Sequence, residues 1–444
     1  MTKELPFWGQ IIYGIPEGGI FLVNQVITAW IFYFYTTGAL GGEALVPPAI
    51  VGTIIFLGRL VDAVADPVIA RFSDNFDSKW GRRMPFMAVS GVILVGSFIA
   101  LFHPLIEGQS TWNALYLICL ISIYFASFTG YVCPYLALLP ELASSTAKRV
   151  NLATYKAIFR MLGTGIALIG AGIIIEKIGF QNMAWIMGIL ALVLLYIPMG
   201  IREKEYAQSK PATLGLIEAI KKTLQNRPFV FYLVGCIAFW FGGNIVLQAA
   251  PFYVTVLLEE GEAATSLFYG AAGVIAVISF PIINYIAKKK GLKTTMLLSM
   301  FVLIVLLPLV YFLGKPLWGI DYFTVALIGV GLAGFPVAAL FIVPDALVAS
   351  ISDLDEKLTG QHRQAMYFGT QGLIMKGALG LSTVVMGTLF QTFGQTPAEP
   401  LGVQLTGPVA AFLLAIGFIV FLFYPEKEVM AYQQQKLSEE SQYD

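Results

Sequence analysis

The sequence predicts an all-α membrane protein with twelve transmembrane helices arranged as two six-helix halves. Hydrophobic residues make up 57% of the 444 residues and charged residues only 12%. A soluble domain typically has about 25% charged residues, so this composition excludes an ordinary soluble protein. Two further observations support the prediction: a series of long apolar runs and a one-sided distribution of Lys and Arg.

Each apolar run is long enough to cross the hydrocarbon core of a bilayer as a helix. The longest polar interruption, 201–227, separates an N-terminal half (1–200) from a C-terminal half (228–424), and a polar tail (425–444) follows. The predicted spans are 11–37, 47–71, 85–104, 112–138, 151–176, 181–200, 228–257, 264–287, 294–314, 320–348, 364–391 and 405–424.

The basic residues predict which side of the membrane each loop occupies. If the N-terminus is cytoplasmic, cytoplasmic segments hold 21 of the 27 Lys and Arg residues, and the opposite loops hold only Lys177 and Lys315. Cytoplasmic loops carry such an excess of basic residues. We therefore predict an integral protein of the bacterial inner membrane with the linker 201–227, the tail and both termini in the cytoplasm.

The two halves carry similar basic loops. Lys79, Arg82 and Arg83 follow the second predicted helix, and the run 288–293 follows the eighth. Repeated halves of this kind are typical of transporters that rock about a site at the membrane midplane.

Two aspartates lie inside the second apolar run. Arg59, Asp62 and Asp66 fall at helical positions i, i+3 and i+7, which places them on one face. A carboxylate at membrane depth costs about 3 kcal/mol, so such groups usually face a cavity or a partner. This face can hold a cation, which predicts a cation-coupled transporter; the alternative is a structural ion-pair cluster with Arg59 and Lys376.

Several motifs resemble those of the glycoside–pentoside–hexuronide:cation symporters, a family within the major facilitator superfamily. The most specific are Arg-Leu-Val-Asp-Ala-Val-Ala-Asp-Pro at 59–67 and Ser-Asp-Asn-Phe-Asp-Ser-Lys-Trp-Gly-Arg-Arg-Met-Pro at 73–85. Weaker matches are Pro134 with Leu-Pro-Glu at 139–141, Tyr155-Lys156 with Gly163, Val-Pro-Asp at 343–345, and the segment 359–376. The resemblance covers all twelve predicted helices and implies the major facilitator fold.

The resemblance implies a cation site. The family's cation carboxylates match Asp62 and Asp66, and its hydroxyl ligand in the fourth helix matches Thr129. Ala65 stands where the family often has a polar residue, which removes one possible oxygen ligand. Hard cations require several oxygens, so Na⁺ and H⁺ both remain open as the coupling ion; no other metal and no cofactor is expected.

The resemblance also implies a solute site, but with a changed chemistry. Phe21 and Val132 stand where the family's sugar-binding acids fall, which argues against a galactoside site. The remaining candidates are polar residues in apolar helices, some of which are equally explained by helix–helix hydrogen bonds. They are Glu17, Asn24, Asn244, Gln248, Gln371 and Lys376, of which Asn244 and Lys376 match polar residues of the family.

A further group of charged residues is predicted to form a network that gates the site. Lys156 and Arg160 lie four residues apart near the start of the fifth helix, where a substrate role and snorkelling to the interface remain alternatives. Arg82 and Arg83 are predicted to form a latch between the halves with acids such as Asp74 or Glu141. Arg59 completes this group.

The leading function is cation-coupled symport of a small sugar-like or glycoside-like solute by alternating access. The alternative is a sodium-coupled carrier of lysolipids, because an apolar wall at Phe21 and Val132 also suits an acyl chain. An enzyme is not expected, since His103 and His362 fall at opposite helix ends and no catalytic or phosphate-binding motif occurs. A channel is disfavoured because the sequence shows no charge ring.

Partners follow from the same features. They are a small-molecule substrate and membrane lipids, with no nucleic acid because the net charge is zero, and the protein is expected to be a monomer. Cys119, Cys133 and Cys236 show no metal-ligand spacing and are expected to be small buried residues.

Overall fold

The computed structural model describes residues 5–38, 43–76, 78–142, 146–201, 216–314, 322–359 and 364–429. Within these ranges, side chains are described for all residues except 74, 75, 140, 141, 146–150, 216–219 and 365. Every regular element in the described ranges is a helix. This confirms the predicted all-α class.

The helices follow the predicted order. The first group comprises α1 (Phe7–Gly14), α2 (Pro16–Thr36), α3 (Pro48–Asn75), α4 (Met84–Leu101), α5 (Thr111–Leu142), α6 (Thr146–Gly165) and α7 (Ala171–Tyr196). The second comprises α8 (Leu216–Leu224), α9 (Arg227–Phe252), α10 (Glu262–Lys290), α11 (Leu292–Leu306), α12 (Tyr322–Leu332), α13 (Gly334–Thr359), α14 (Gln364–Phe393) and α15 (Leu401–Phe421). A short π-helical segment, Ile166–Gly170, joins α6 to α7.

The described helices include 11 candidate membrane spans by length and apolarity. One of these, 151–200, has 50 residues and would be about 75 Å long as a single helix. That is more than twice the hydrocarbon thickness of about 30 Å. The chain turns inside it at Gly179, whose φ of 85° suits glycine, so this stretch forms two crossings and the total is twelve.

The boundaries differ from the predicted ones mainly where helices continue into polar sequence. The tenth span was predicted to end at 348, but α13 continues to Thr359. Ile351 and Asp355 are buried in this extension. Packing therefore maintains the helix where the apolar run has already ended.

The contact between α3 and α14 positions the candidate site. A Cβ atom on Gly52 would lie 2.3 Å from the Thr383 carbonyl oxygen, and one on Gly387 would lie 2.4 Å from that of Pro48. Such separations are shorter than real Cβ contacts, so only glycine permits this approach of the two backbones. The approach brings α14 against the face of α3 that carries the aspartates.

Helix α3 also contains a proline beside the site. Pro67 directly follows Asp66 inside the helix. Proline has no N–H group, so it removes the helical hydrogen bond that the Ala63 carbonyl would otherwise accept. The backbone is thus less regular where the two aspartates lie.

Candidate cation and solute site

The two aspartates of α3 meet a lysine from the other half of the chain. Lys376 Nζ of α14 lies 3.0 Å from Asp62 Oδ1 and 2.7 Å from Asp66 Oδ2. The Asp62 side chain is 1% exposed, whereas that of Asp66 is 36% exposed. One carboxylate is therefore enclosed by protein and the other is accessible.

Helix α5 closes the same cluster. The Thr129 hydroxyl donates a hydrogen bond to Asp62 Oδ1 and lies 3.2 Å from Asp66 Oδ1. The Cys133 thiol, one turn further along, lies 3.5 Å from Asp66 Oδ1. The structure thus brings together the three residues predicted to bind a cation, Asp62, Asp66 and Thr129, with Lys376 as their counter-charge.

This arrangement has the chemistry of a cation site. Two carboxylates contact one ammonium group, one hydroxyl contacts both carboxylates, and the Asp62 carbonyl oxygen lies 3.5 Å from the same Nζ. Asp62 Oδ2 is buried and accepts no hydrogen bond from any described residue. A buried carboxylate oxygen without a donor is costly, and a bound cation or proton would satisfy it.

Arg59 takes a different position from its predicted one. Its guanidinium lies 4.5 Å from the centre of the Phe125 ring on α5, a cation–π contact. Among the described residues it forms no ion pair with either aspartate, although its charge acts on Asp62 at longer range. Of the two cations expected in an ion-pair cluster with the aspartates, Lys376 pairs directly with both and Arg59 does not.

A second charged cluster lies between α2 and α6. Glu17 is buried and accepts a 2.5 Å bond from Arg160 Nη2, while Lys156 Nζ lies 3.6 Å from its other oxygen. The Arg160 side chain is 39% exposed, and Asp345 of α13 acts on it electrostatically from the other half. Glu17, Lys156 and Arg160 thus form one network rather than separate functional groups, and snorkelling does not explain the buried Lys156.

Aromatic rings flank this second cluster. The Arg160 guanidinium lies 4.6 Å from the centre of the Phe21 ring, and Lys156 Nζ lies 4.9 Å from that of Tyr135. Tyr135 and Tyr13 are stacked and donate reciprocal 2.9 Å bonds to each other's backbone carbonyls. Phe21 therefore supports a cation where the family's acid would stand.

The remaining solute candidates lie on four different helices, α2, α5, α9 and α14. Asn244 donates a 2.7 Å bond to Ser382, so it joins α9 to α14 and acts as a helix–helix contact. Asn24 Oδ1 and Gln371 Oε1 are buried and accept no hydrogen bond from a described residue. Gln248 is buried. Val132 is partly buried against the apolar core.

The predicted latch is only partly described. The side chains of Asp74 and Glu141 lie outside the described part of the chain, as does His362. Arg83 is buried, and both Arg82 and Arg83 have interaction partners. The pairing with Asp74 or Glu141 remains a prediction.

The cysteines depart from the expectation that all three are buried. Cys236 is buried, but Cys119 is exposed and Cys133 is only partly buried. Cys119 lies on an outer helix face, which an apolar run cannot distinguish from an inner one. Cys133 beside Asp66 was missed as a site residue, although its position one turn after Thr129 is a usable signal.

The sequence matches the family model described as MFS/sugar transport protein over residues 12–424. The chain belongs to this family.

Individual proteins and a solved structure are similar to this chain over most of its length. The isoprimeverose transporter of Lactiplantibacillus pentosus is 22% identical, over 98% of this chain and 93% of that protein. Sodium-dependent lysophosphatidylcholine symporter 1 of Xenopus tropicalis is 24% identical, over 88% and 83% of the two chains. A solved structure of a bacterial homolog of the human lysosomal transporter Spinster has a TM-score of 0.69 at 12% identity, covering 96% and 97%, which shows the shared fold.

Family membership confirms the main expectations from the sequence. The chain has the major facilitator fold, and the resemblance to the glycoside–pentoside–hexuronide:cation symporters is correct. It is an integral membrane transporter rather than an enzyme.

Proposed function

We propose that this protein is a symporter that couples a cation to the import of a small polar organic solute by alternating access. The observation that carries the proposal is the cluster of Asp62, Asp66, Thr129 and Lys376. The cluster joins α3 and α5 to α14, so its state of charge acts on the contact between the two halves. Ionisable residues inside a membrane are most often functional.

The exchange of Lys376 for the coupling ion supplies the coupling. An incoming cation competes with the Lys376 ammonium for the same carboxylate oxygens. When the ion binds, Lys376 loses its direct partners and α14 loses an ionic contact with α3. Ion occupancy thereby changes the relative free energies of the two conformations, which is the requirement for coupling.

Either Na⁺ or H⁺ fits the cluster chemically. The described oxygens that Na⁺ would use are those of the two carboxylates, the Thr129 hydroxyl and the Asp62 carbonyl. A proton would instead occupy Asp62 Oδ2, the buried oxygen without a donor. No other metal and no cofactor is part of the proposal.

A polar solute is favoured by the buried acceptors in the helices. Asn24 Oδ1 and Gln371 Oε1 accept no bond from described residues, and unpaired buried polar atoms are costly. Hydroxyl groups of a sugar-like solute can donate to both. Glu17, Lys156 and Arg160 supply further donors and acceptors.

The second candidate is a lysolipid carrier of the same fold. Phe21 and Val132 offer an apolar wall, and the similar Xenopus protein is named for lysophosphatidylcholine. An acyl chain along this wall leaves the Asn24 and Gln371 oxygens unpaired, which is why we place this candidate second.

Flux measurements in proteoliposomes test the proposal. Uptake of a panel of glycosides, uronides and lysophosphatidylcholine is measured under an inward Na⁺ gradient and, separately, an inward proton gradient. We expect accumulation of a glycoside or uronide with one gradient, and its loss in Asp66→Asn.

Glu107→Gln, which changes an exposed acid outside the helices, is the matched control. Ion-driven accumulation by Asp66→Asn at the wild-type rate would refute the cation site, and uptake of lysolipid alone would establish the second candidate.

We also propose where the protein is located and how its chain is divided into functional units. The protein is placed in a bacterial inner membrane as a monomer, with both termini cytoplasmic. The functional units are the halves 1–200 and 228–424, the linker 201–227 and the tail 425–444. The strong bias of Lys and Arg to one side supports this orientation.

A further inference from the structure

The two halves are in contact at the end of the bundle that the charge bias predicts to be extracytoplasmic. Phe32 and Tyr33 of α2 meet Phe252 of α9 with ring centroids 6.1 Å and 5.0 Å apart, and Phe252 meets Phe390 of α14 at 4.7 Å. All four side chains are buried. These rings, which we call the aromatic plug, close this end of the protein.

Two hydrogen bonds also join the halves at this end of the bundle. Gln395 Nε2 donates a 2.5 Å bond to the Thr36 carbonyl. Glu176 Oε2, on α7 of the first half, accepts a 2.7 Å hydrogen bond from the backbone N–H of Ala263. Ala263 lies in the first turn of α10, where backbone N–H groups have no partner within the helix.

The Glu176 contact is tight and specific in its geometry. A Cβ atom on Gly261 would lie 2.3 Å from Glu176 Oε2, so the carboxylate fits against a residue without a side chain. Gly172, one turn before Glu176, also approaches α10 closely: a Cβ there would lie 2.8 Å from the Glu262 carbonyl oxygen. Glycines at both positions allow α7 and the start of α10 to meet.

We propose that Glu176 is a latch that holds the extracytoplasmic end closed by capping the first turn of α10 across the two halves. The carboxylate also meets the positive end of the α10 dipole, which adds to the bond. Because Glu176 is exposed, water replaces the Ala263 N–H as its partner when the halves separate. The latch is therefore strong enough to bias the closed state and weak enough to open during transport.

Distances between the halves test this inference. Spin labels are placed on Glu107→Cys and Ala398→Cys, exposed loop positions on opposite halves at this end, in a background with Cys119, Cys133 and Cys236 replaced. Glu176→Ala should raise the ratio of open to closed populations about two- to fivefold, the size expected for losing a charge at an exposed helix N-terminus. Lys177→Ala is the adjacent control and should leave the ratio unchanged.

Gly261→Ala provides an independent variant that keeps the charge. Its methyl group displaces the carboxylate, so it should also raise the open population, and it should add nothing in a Glu176→Ala background. An unchanged distance distribution in Glu176→Ala, or full additivity of the two changes, would overturn the latch. The measurement needs neither cation nor solute, so its outcome is separate from that of the symport assay.

Discussion

Lys376 Nζ lies 2.7 Å from Asp66 Oδ2, and this ion pair joins the two halves of the protein through α14 and α3. The two residues are 310 positions apart in the chain. The pair lies at the proposed cation site, so in the proposed mechanism Lys376 competes with the incoming ion. This competition is the basis of the first prediction.

Replacing Lys376 should separate ion binding from transport. In Lys376→Ala the ion no longer displaces an internal ammonium, so its affinity should rise about tenfold, equivalent to about 1.4 kcal/mol. Solute accumulation should be lost because α14 no longer responds to ion occupancy. Ion titration calorimetry and proteoliposome uptake measure the two effects, with exposed Lys288→Ala as control. Weaker ion binding in Lys376→Ala would show that the lysine supports the ion rather than competing with it.

The Thr129 hydroxyl is expected to contribute directly to ion binding. Thr129→Val keeps the shape of the side chain but removes the oxygen that contacts both carboxylates. We expect ion affinity to fall by about 1–2 kcal/mol, the usual effect of deleting one partner at a charged group. Thr53→Val, on an exposed face of α3 where the hydroxyl donates a hydrogen bond to the Ala49 carbonyl, should bind the ion normally. Equal affinities in the two variants would remove Thr129 from the site.

The Glu17 network should depend on charge balance. Glu17→Gln leaves Lys156 and Arg160 without their buried counter-charge. We expect a loss of stability of about 2–3 kcal/mol, below the 3–5 kcal/mol of a fully buried pair because Arg160 is partly exposed. Thermal unfolding in detergent measures it. Adding Lys156→Met should recover part of the loss; if the double variant is less stable than Glu17→Gln, charge imbalance is not the cause.

The close approach of α3 and α14 should depend on glycine. Gly52→Ala places a methyl group against the Thr383 backbone, which must move, so we expect a loss of about 1–3 kcal/mol and weaker ion binding. Gly96→Ala on α4 is the matched control, since no atom lies within 4 Å of its added Cβ. Thermal unfolding with and without the ion measures both effects. A Gly52→Ala protein as stable as Gly96→Ala would contradict the packing described for α3 and α14.

The orientation predicts which side of the membrane two exposed positions occupy. With the native thiols replaced, a cysteine introduced at Lys288 should react with an impermeant maleimide only after the cytoplasmic side is opened. A cysteine introduced at Glu107 should react in intact cells. The reverse pattern would invert the proposed topology.

Much of the fold was predictable because hydropathy is a local property. Any run of about twenty apolar residues satisfies the length and desolvation requirements of a membrane helix, so the order of the helices followed from the sequence. The end of α13 was not predictable in this way, because burial of Ile351 and Asp355 by neighbouring helices maintains it.

The candidate site was partly predictable for a similar reason. Helical spacing places Asp62 and Asp66 on one face, and the family resemblance marked Thr129 and Lys376. The same spacing included Arg59, yet its guanidinium lies on Phe125 because a face of a helix is wide enough to meet more than one neighbour. Cys133 beside Asp66 and Asp345 opposite Arg160 were not foreseen.

The sequence by itself determined that this protein is a helical membrane transporter with two carboxylates inside an apolar segment. The length of the apolar runs, the distribution of basic residues and the helical period can all be read along a single chain. Only the tertiary structure decided which charges meet: Lys376 with Asp62 and Asp66, and Glu17 with Lys156 and Arg160. The physical reason is that periodicity fixes the direction of a side chain from its own helix axis. The partner it finds depends on how helices distant in sequence pack, and here that depends on backbone approaches such as those at Gly52 and Gly387.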